Sequence, residues 1–200
     1  MVWGVAGRYC CGKNAVVAIL AENGFQPVEV DRIGHQVLED RREQVARLFG
    51  PGIRAPDGSI DRRALGKLVF RSPRARRQLE RILHPVMVGR VRSRVEGRTG
   101  ALAINAALLF PMGLQRLCSL VIWVQAPWWV RLFRAMRRDR LPLGDALARI
   151  LSQRGIRPKS NGIAVDIYYV KNTGDSRFLR EQVLTILRER GSEEGGHGKK

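Results

Sequence analysis

Val2-Trp3-Gly4-Val5-Ala6 is an apolar run of the right length for one buried strand, and Gly7 follows it at once. The chain then reads Gly7-Arg8-Tyr9-Cys10-Cys11-Gly12-Lys13-Asn14 and enters the apolar-rich helical stretch Ala15-Val16-Val17-Ala18-Ile19-Leu20. A strand, a glycine turn and then Gly-Lys opening a helix is the layout of a phosphate-binding loop. The first N–H groups of a helix have no partner inside it, and the helix dipole favours negative charge there. Gly12 lets the backbone approach a polyphosphate closely, and Lys13 adds a mobile positive charge. Where the pattern places Ser or Thr to hold Mg²⁺, this chain has Asn14.

Strand-sized apolar runs recur at 2–6, 27–30, 101–104, 120–124 and 165–170, with helical stretches between them. That alternation predicts an α/β fold with a mostly parallel five-stranded sheet flanked by helices. The first helix should run from about Lys13 to Asn23, with Gly24 as its stop. Asp31 then falls at the C-terminal end of the second strand, where open α/β sheets gather ligands. From Arg32 to about Arg98 the pattern is helical, with Asp61 and Ser72 placed to cap two of the helices. Another basic helical stretch, about 128–160, is broken at Leu141-Pro142 and has the makings of a lid. A last amphipathic helix should begin at Gly174 or Asp175 and end near Arg190, leaving 191–200 as a disordered tail.

The 200 residues suffice for one domain with a substantial core. No apolar run is long enough to span a bilayer; the richest, Leu120 to Val124, is strand-sized. No secretory leader is evident, and three cysteines, two of them adjacent, make no disulfide framework. A cytoplasmic, reducing setting fits. The formal charge of +18 raises the question of nucleic acid, since 30 of the 36 basic residues are arginine. Those arginines are scattered along helices without any recognisable nucleic-acid module, so the charge reads as a field that attracts anionic small molecules.

A phosphate loop, an acid after strand two, a helical insertion and an Arg-rich lid together suggest a small-molecule phosphotransferase, because phosphoryl transfer depends on positioning and charge neutralisation. Further segments sharpen this. They are Val28-Glu29-Val30-Asp31-Arg32-Ile33-Gly34-His35-Gln36-Val37, Leu48-Phe49-Gly50-Pro51-Gly52-Ile53 and Asp57-Gly58-Ser59-Ile60-Asp61-Arg62-Arg63-Ala64-Leu65. Ile82-Leu83-His84-Pro85, Ala107-Leu108-Leu109-Phe110, Arg137-Arg138-Asp139, Ser152-Gln153 and Asn172 follow in order. In these the chain resembles the dephospho-coenzyme A kinase family over roughly residues 3–190.

The resemblance implies a single P-loop kinase domain over 1–190: a core of 1–31, 99–127 and 161–190, an acceptor-binding helical subdomain of about 32–98, and the lid of about 128–160. It implies ATP-dependent phosphorylation of the ribose 3′-hydroxyl of dephospho-coenzyme A, the last step of coenzyme A synthesis, with ATP and Mg²⁺ as partners. ATP would lie on Arg8, Tyr9, Cys10, Cys11, Gly12, Lys13, Asn14, Ala15 and Arg138. Lys13 would bridge its phosphates, and Asn14 would be the Mg²⁺ ligand. Asp31 would serve the acceptor hydroxyl, with His84, Pro85, Leu108 and Leu109 shaping the acceptor pocket. Arg134, Arg137 and Arg138 would belong to the closing lid. The enzyme is expected to be a monomer. Another nucleoside or nucleotide kinase, or a nucleotide- or RNA-binding protein with weakened catalysis, remain the alternatives.

Several positions depart from the family pattern. Asn14 stands for Ser/Thr, Glu29 for the first Asp of an Asp-Ala-Asp, Val88 for an Arg, Asn105 for an Asp and Pro111 for a Glu. Cys10 and Cys11 lie beside Lys13 at a helix N-terminus, a setting that predicts lowered thiol pKa values; either oxidation or alkylation there blocks ATP binding, or the loop needed small residues and cysteine serves as one. Cys118, in an apolar stretch, is expected in the core.

Overall fold

The computed structural model describes residues 1–158 and 165–195. In chain order it has β1 (Val2–Gly7), α1 (Lys13–Glu22), β2 (Gln26–Glu29), α2 (Val30–Asp40), α3 (Arg42–Phe49), α4 (Arg62–Arg71) and α5 (Pro73–Glu96). Then come β3 (Leu102–Asn105), β4 (Leu120–Gln125), α6 (Trp128–Asp139), α7 (Leu143–Ser152), β5 (Asp166–Lys171) and α8 (Ser176–Gly195). The strands form one sheet in the order β2-β3-β1-β4-β5. Strand β1 runs parallel to both β3 and β4, and β4 runs parallel to β5.

The central position of β1 explains its composition. A strand covered on both faces needs no polar alternation, and Trp3, Val5 and Ala6 are all buried. One face of the sheet is closed by Val16 and Leu20 of α1 with Leu179 and Val183 of α8, packed on Val5, Ile122, Val124 and Val170. Trp3 and Phe25 extend this core, their rings 4.7 Å apart. Gly4 leaves room that its neighbours fill. A Cβ there would lie 2.8 Å from Leu109 Cδ1 and 3.1 Å from Cys118 Sγ.

The chain divides into two compact units: Met1–Val28 with everything from Thr99 on, and Glu29–Arg98. The second has a core of its own, built from Leu38, Val45, Ile53, Ile60 and Leu65, with Phe49, Leu79 and Leu83 packed against it. Its helix starts are those the sequence marks. Asp61 caps α4 by accepting from the N–H groups of Arg63 and Ala64, and Ser72 caps α5 by accepting from that of Ala75. Gly34 on α2 gives way to α5, since a Cβ there would meet Met87 Cε at 2.9 Å.

The five strands fall within two residues of the expected segments, and the fold is α/β as anticipated. Two boundaries differ. Strand β2 ends at Glu29 and α2 begins at Val30, so Asp31 lies in the first turn of a helix and not on the strand. The acid tolerates this because a carboxylate in the first turn complements the helix dipole. Helix α8 continues to Gly195, past the expected end near Arg190; residues 196–200 of the anticipated tail lie outside the described residues. So do 159–164, where the lid was expected to give way to the core. Gly4→Ala should destabilise the protein by about 1–3 kcal/mol, the usual cost of overpacking. Urea unfolding monitored by circular dichroism measures it, and an unchanged midpoint would show that the space around β1 is looser than described.

Candidate active site

The loop after β1 is held by what its carbonyls bind. Lys13 Nζ folds back to donate to Gly7 O at 3.3 Å. Arg131 Nε donates to Tyr9 O at 2.8 Å, and Arg134 Nη1 to Cys11 O at 3.3 Å. Two cationic side chains from α6 and one from α1 thus turn three loop carbonyls away from the space their peptide N–H groups must share with an anion. Two unusual backbone conformations make the turn possible: Gly12 at φ 92° and Cys10 at φ 58°. Gly12 has a second reason to be glycine. A Cβ there would fall 2.1 Å from Asn172 Nδ2, so the buried Asn172 lies directly over the loop. Asn172 Oδ1 accepts from Arg134 Nη2 at 2.9 Å, which fixes both.

Helix α1 starts at Lys13 with no side-chain cap and no acid in its first turn. Its first N–H groups and positive dipole end are left for a ligand. The Ala15 N–H is an exception, since it donates to Gly12 O at 3.1 Å. Asn14 is exposed, and its Oδ1 accepts from Asn105 Nδ2 at 3.0 Å, so two family departures form one amide pair.

The outer wall is the α6–α7 pair. Tyr9 packs there with Leu132 and Leu141 around buried Cys10, Ala135 and Ala146. Its hydroxyl donates to Asp139, and its ring lies under the Arg138 guanidinium at 5.5 Å. Arg138 in turn makes a bidentate pair with Asp139, at 2.7 and 3.1 Å. This pair raises the Arg138 pKa and lowers that of Asp139, while burial, with the Asp139 contact second, raises that of the Tyr9 phenol. Gln153 Oε1 accepts from the Tyr9 N–H. Beside the loop opens a cavity of about 1040 Å³ whose lining includes Gly12, Trp129, Phe133, Arg134, Arg138 and Gly174. Arg137 lines it too.

The structure therefore gathers Arg8, Tyr9, Cys10, Cys11, Gly12, Lys13, Asn14, Arg134, Arg137 and Arg138 about one loop and one helix. The Arg8 side chain leaves this group and donates to the carbonyls of Ile156 and Arg154. Asp31, His84 and Pro85 belong to the other unit, Asp31 on α2 and the pair on α5, two helices that pack together. Asp31 is exposed; His84 is half-buried, and burial lowers its pKa against the opposing charge of Glu80. Two expectations change. Leu109 is wholly enclosed, against the space at Gly4, so packing is the role left to it, whereas Leu108 keeps some exposure. The thiols behave opposite to expectation: Cys10 and Cys11 are both buried, and burial raises their pKa values despite nearby Arg138 and Lys13. Burial also pushes Cys118 up to about 12.

Arg131, Gln153 and Asn172 hold the loop, yet the sequence assigns them no such role. Arg131 was hidden among 30 arginines. The signal was spacing: 131, 134 and 138 lie three and four residues apart, on one helical face.

The dephospho-CoA kinase family model matches residues 1–175 of this sequence. The chain belongs to the dephospho-CoA kinase family. The dephospho-CoA kinase of Anaeromyxobacter dehalogenans is 34% identical over 209 aligned positions, covering 100% of this chain and 95% of that protein. The dephospho-CoA kinase of Campylobacter jejuni superposes with a TM-score of 0.68 at 26% identity, covering 96% of this chain and 98% of that one. Shikimate kinase from Acinetobacter baumannii, at 15% identity and TM-score 0.53 over 94% of this chain and 93% of its own, shares the fold. Within a dephospho-CoA kinase fold the buried thiols should be inert. Native protein at neutral pH should alkylate about tenfold or more slowly than the unfolded chain, by mass spectrometry of iodoacetamide adducts. Rapid labelling of Cys10 or Cys11 that ATP suppresses would restore the reactive-loop expectation.

Proposed function

We propose that the loop of Gly7 to Asn14 binds the ATP phosphates and that Asp31 serves the acceptor hydroxyl in the family's reaction. That reaction is ATP-dependent phosphorylation of dephospho-coenzyme A in coenzyme A biosynthesis; the acceptor atom is the ribose 3′-hydroxyl. The observation that carries the loop assignment is the tying back of the three carbonyls by Lys13, Arg131 and Arg134, beside a helix start with no side-chain cap.

With ATP bound, Lys13 exchanges its contact with Gly7 O for phosphate oxygens and neutralises charge that develops in transfer. The adenosine enters the cavity lined by Trp129, Phe133 and Gly174, large enough for a nucleotide. Helices α6 and α7 act as the lid, with Arg134, Arg137 and Arg138 directed to the polyphosphate. Asp31 orients the 3′-hydroxyl and accepts its proton as the new P–O bond forms and the bond to the ADP leaving group breaks. His84 and Pro85 shape the acceptor's surroundings in the helical unit's role as substrate subdomain, and Leu108, which belongs to the sheet-bearing unit, is assigned to the acceptor as well.

Mg²⁺ fits the residues present, on a reduced protein contribution. The Asn14 amide oxygen carries one hydrogen bond from Asn105 and has a second lone pair for a cation. No group of three His, Cys, Asp or Glu suited to a metal occurs among the described residues. Phosphate oxygens and water would supply most ligands, as Mg²⁺ commonly accepts. When bound, the ion would offset the charge of the polyphosphate.

The nucleotide-kinase and RNA-binding alternatives are not favoured by a family match that spans residues 1–175. The same reading has the enzyme acting as a monomer in the cytoplasm; no helix among the described residues is long and apolar enough to cross a membrane. Lys13→Ala should lower acceptor-dependent ADP release about 10²–10³-fold. Asp31→Asn should lower kcat about 10²–10⁴-fold while leaving ATP binding intact. Turnover unaffected by either substitution would refute the assigned roles.

A further inference from the structure

A second cavity, of about 560 Å³, lies in the sheet-bearing unit and includes neither Lys13, Asn14 nor Asp31 among its lining residues. Its floor is one face of the β4–β5 pair. Trp123 pairs with Tyr169 and Gln125 with Lys171, and strand alternation puts these four on the face opposite Val124 and Val170 of the core. Pro127 and Arg131 of the α6 start form one wall, Arg157 and Pro158 another, and Arg8 and Cys11 of the loop complete it.

Its charge is one-sided. Arg8, Arg131, Arg157 and Lys171 line it, the remaining titratable groups are Cys11 and Tyr169, and no carboxylate appears among the described lining residues. Arg131 is the informative member. It is 4% exposed, its Nε is used by Tyr9 O, and its Nη2 is buried with no hydrogen-bond partner among the described residues. A buried guanidinium nitrogen without a partner is costly, and such groups are ordinarily matched by an acceptor. The cost shows in its proton affinity, which burial lowers first and the like charge of Arg8 lowers further. An anion in this cavity would relieve the repulsion between Arg131 and Arg8, and a turn of the guanidinium would bring the buried Nη2 to it.

We propose that this cavity is a second anion site, taking the diphosphate group of a small metabolite of up to mononucleotide size. Arg131, Arg157 and Lys171 hold the phosphoryl oxygens, and Trp123 and Tyr169 flank the organic part. Four cations match a diphosphate better than a single carboxylate, and the volume admits such a group with a compact organic substituent. The diphosphate has two sources, the acceptor substrate itself or a separate metabolite.

The test uses the full-length protein with its loop site saturated by a non-hydrolysable ATP analogue and Mg²⁺, titrated with pyrophosphate by calorimetry. One pyrophosphate should bind per chain, about tenfold or more weakly in Arg157→Ala and in Lys171→Ala, two exposed positions that fold should tolerate, and not measurably in Arg131→Met. Saturating dephospho-coenzyme A then separates the sources: displacement assigns the site to the acceptor's diphosphate, and undiminished binding to a separate metabolite. No binding once the loop is filled, or binding equal in the wild type and in the Arg157 and Lys171 variants, would overturn the proposal.

Discussion

Peptide N–H groups can converge on an anion only if the carbonyls of the same loop are turned elsewhere, and here each of three carbonyls has a named cation. Lys13 takes Gly7 O, Arg131 takes Tyr9 O and Arg134 takes Cys11 O. The rest of the sheet-bearing unit serves that arrangement. Parallel β1, β3 and β4 aim the loop, α6 carries two of the cations, and Asn172 at the end of β5 closes over Gly12. Lys13 differs from the two arginines in being mobile, so its contact with Gly7 can yield to a phosphate while theirs persist.

Arginine therefore has three distinct uses in a chain whose net charge is +18. Arg131 and Arg134 clamp the loop carbonyls, and Arg134 also lines the cavity beside the loop. Arg138 is neutralised in part by Asp139 and stacked on Tyr9, which links α6 to the loop. Others, such as Arg54 with Glu43 and Arg90 with Asp40, form exposed ion pairs of small energetic weight. Bulk charge alone distinguishes none of these uses.

Much of the fold was legible because its signals are local. A strand buried on both faces reads as a continuous apolar run, as Val2 to Ala6 does, and Asp61 and Ser72 mark helix starts by side-chain chemistry that needs no tertiary context. Asp31 was placed one element too early because Val28 and Val30 look alike in sequence; only the hydrogen bonds show that β2 ends between them. The cysteines were misjudged for a different reason. Proximity to Lys13 is visible in sequence, but the burial that outweighs it comes from α6 and α7 for Cys10 and from the core around β4, β5 and α8 for Cys11, more than a hundred residues away. Gln153 and Asn172 were unreadable as loop supports for the same cause, and of Arg131 only its helical spacing with Arg134 and Arg138 is legible: the contacts with the loop are made across the chain.

The central claim is that this loop transfers a phosphoryl group from ATP to dephospho-coenzyme A. Phosphorus NMR of the native protein incubated with ATP, Mg²⁺ and dephospho-coenzyme A tests it most directly. The account predicts a new phosphomonoester on the ribose 3′-oxygen, accumulating in step with ADP. Release of ADP and inorganic phosphate with the acceptor recovered unchanged would contradict it.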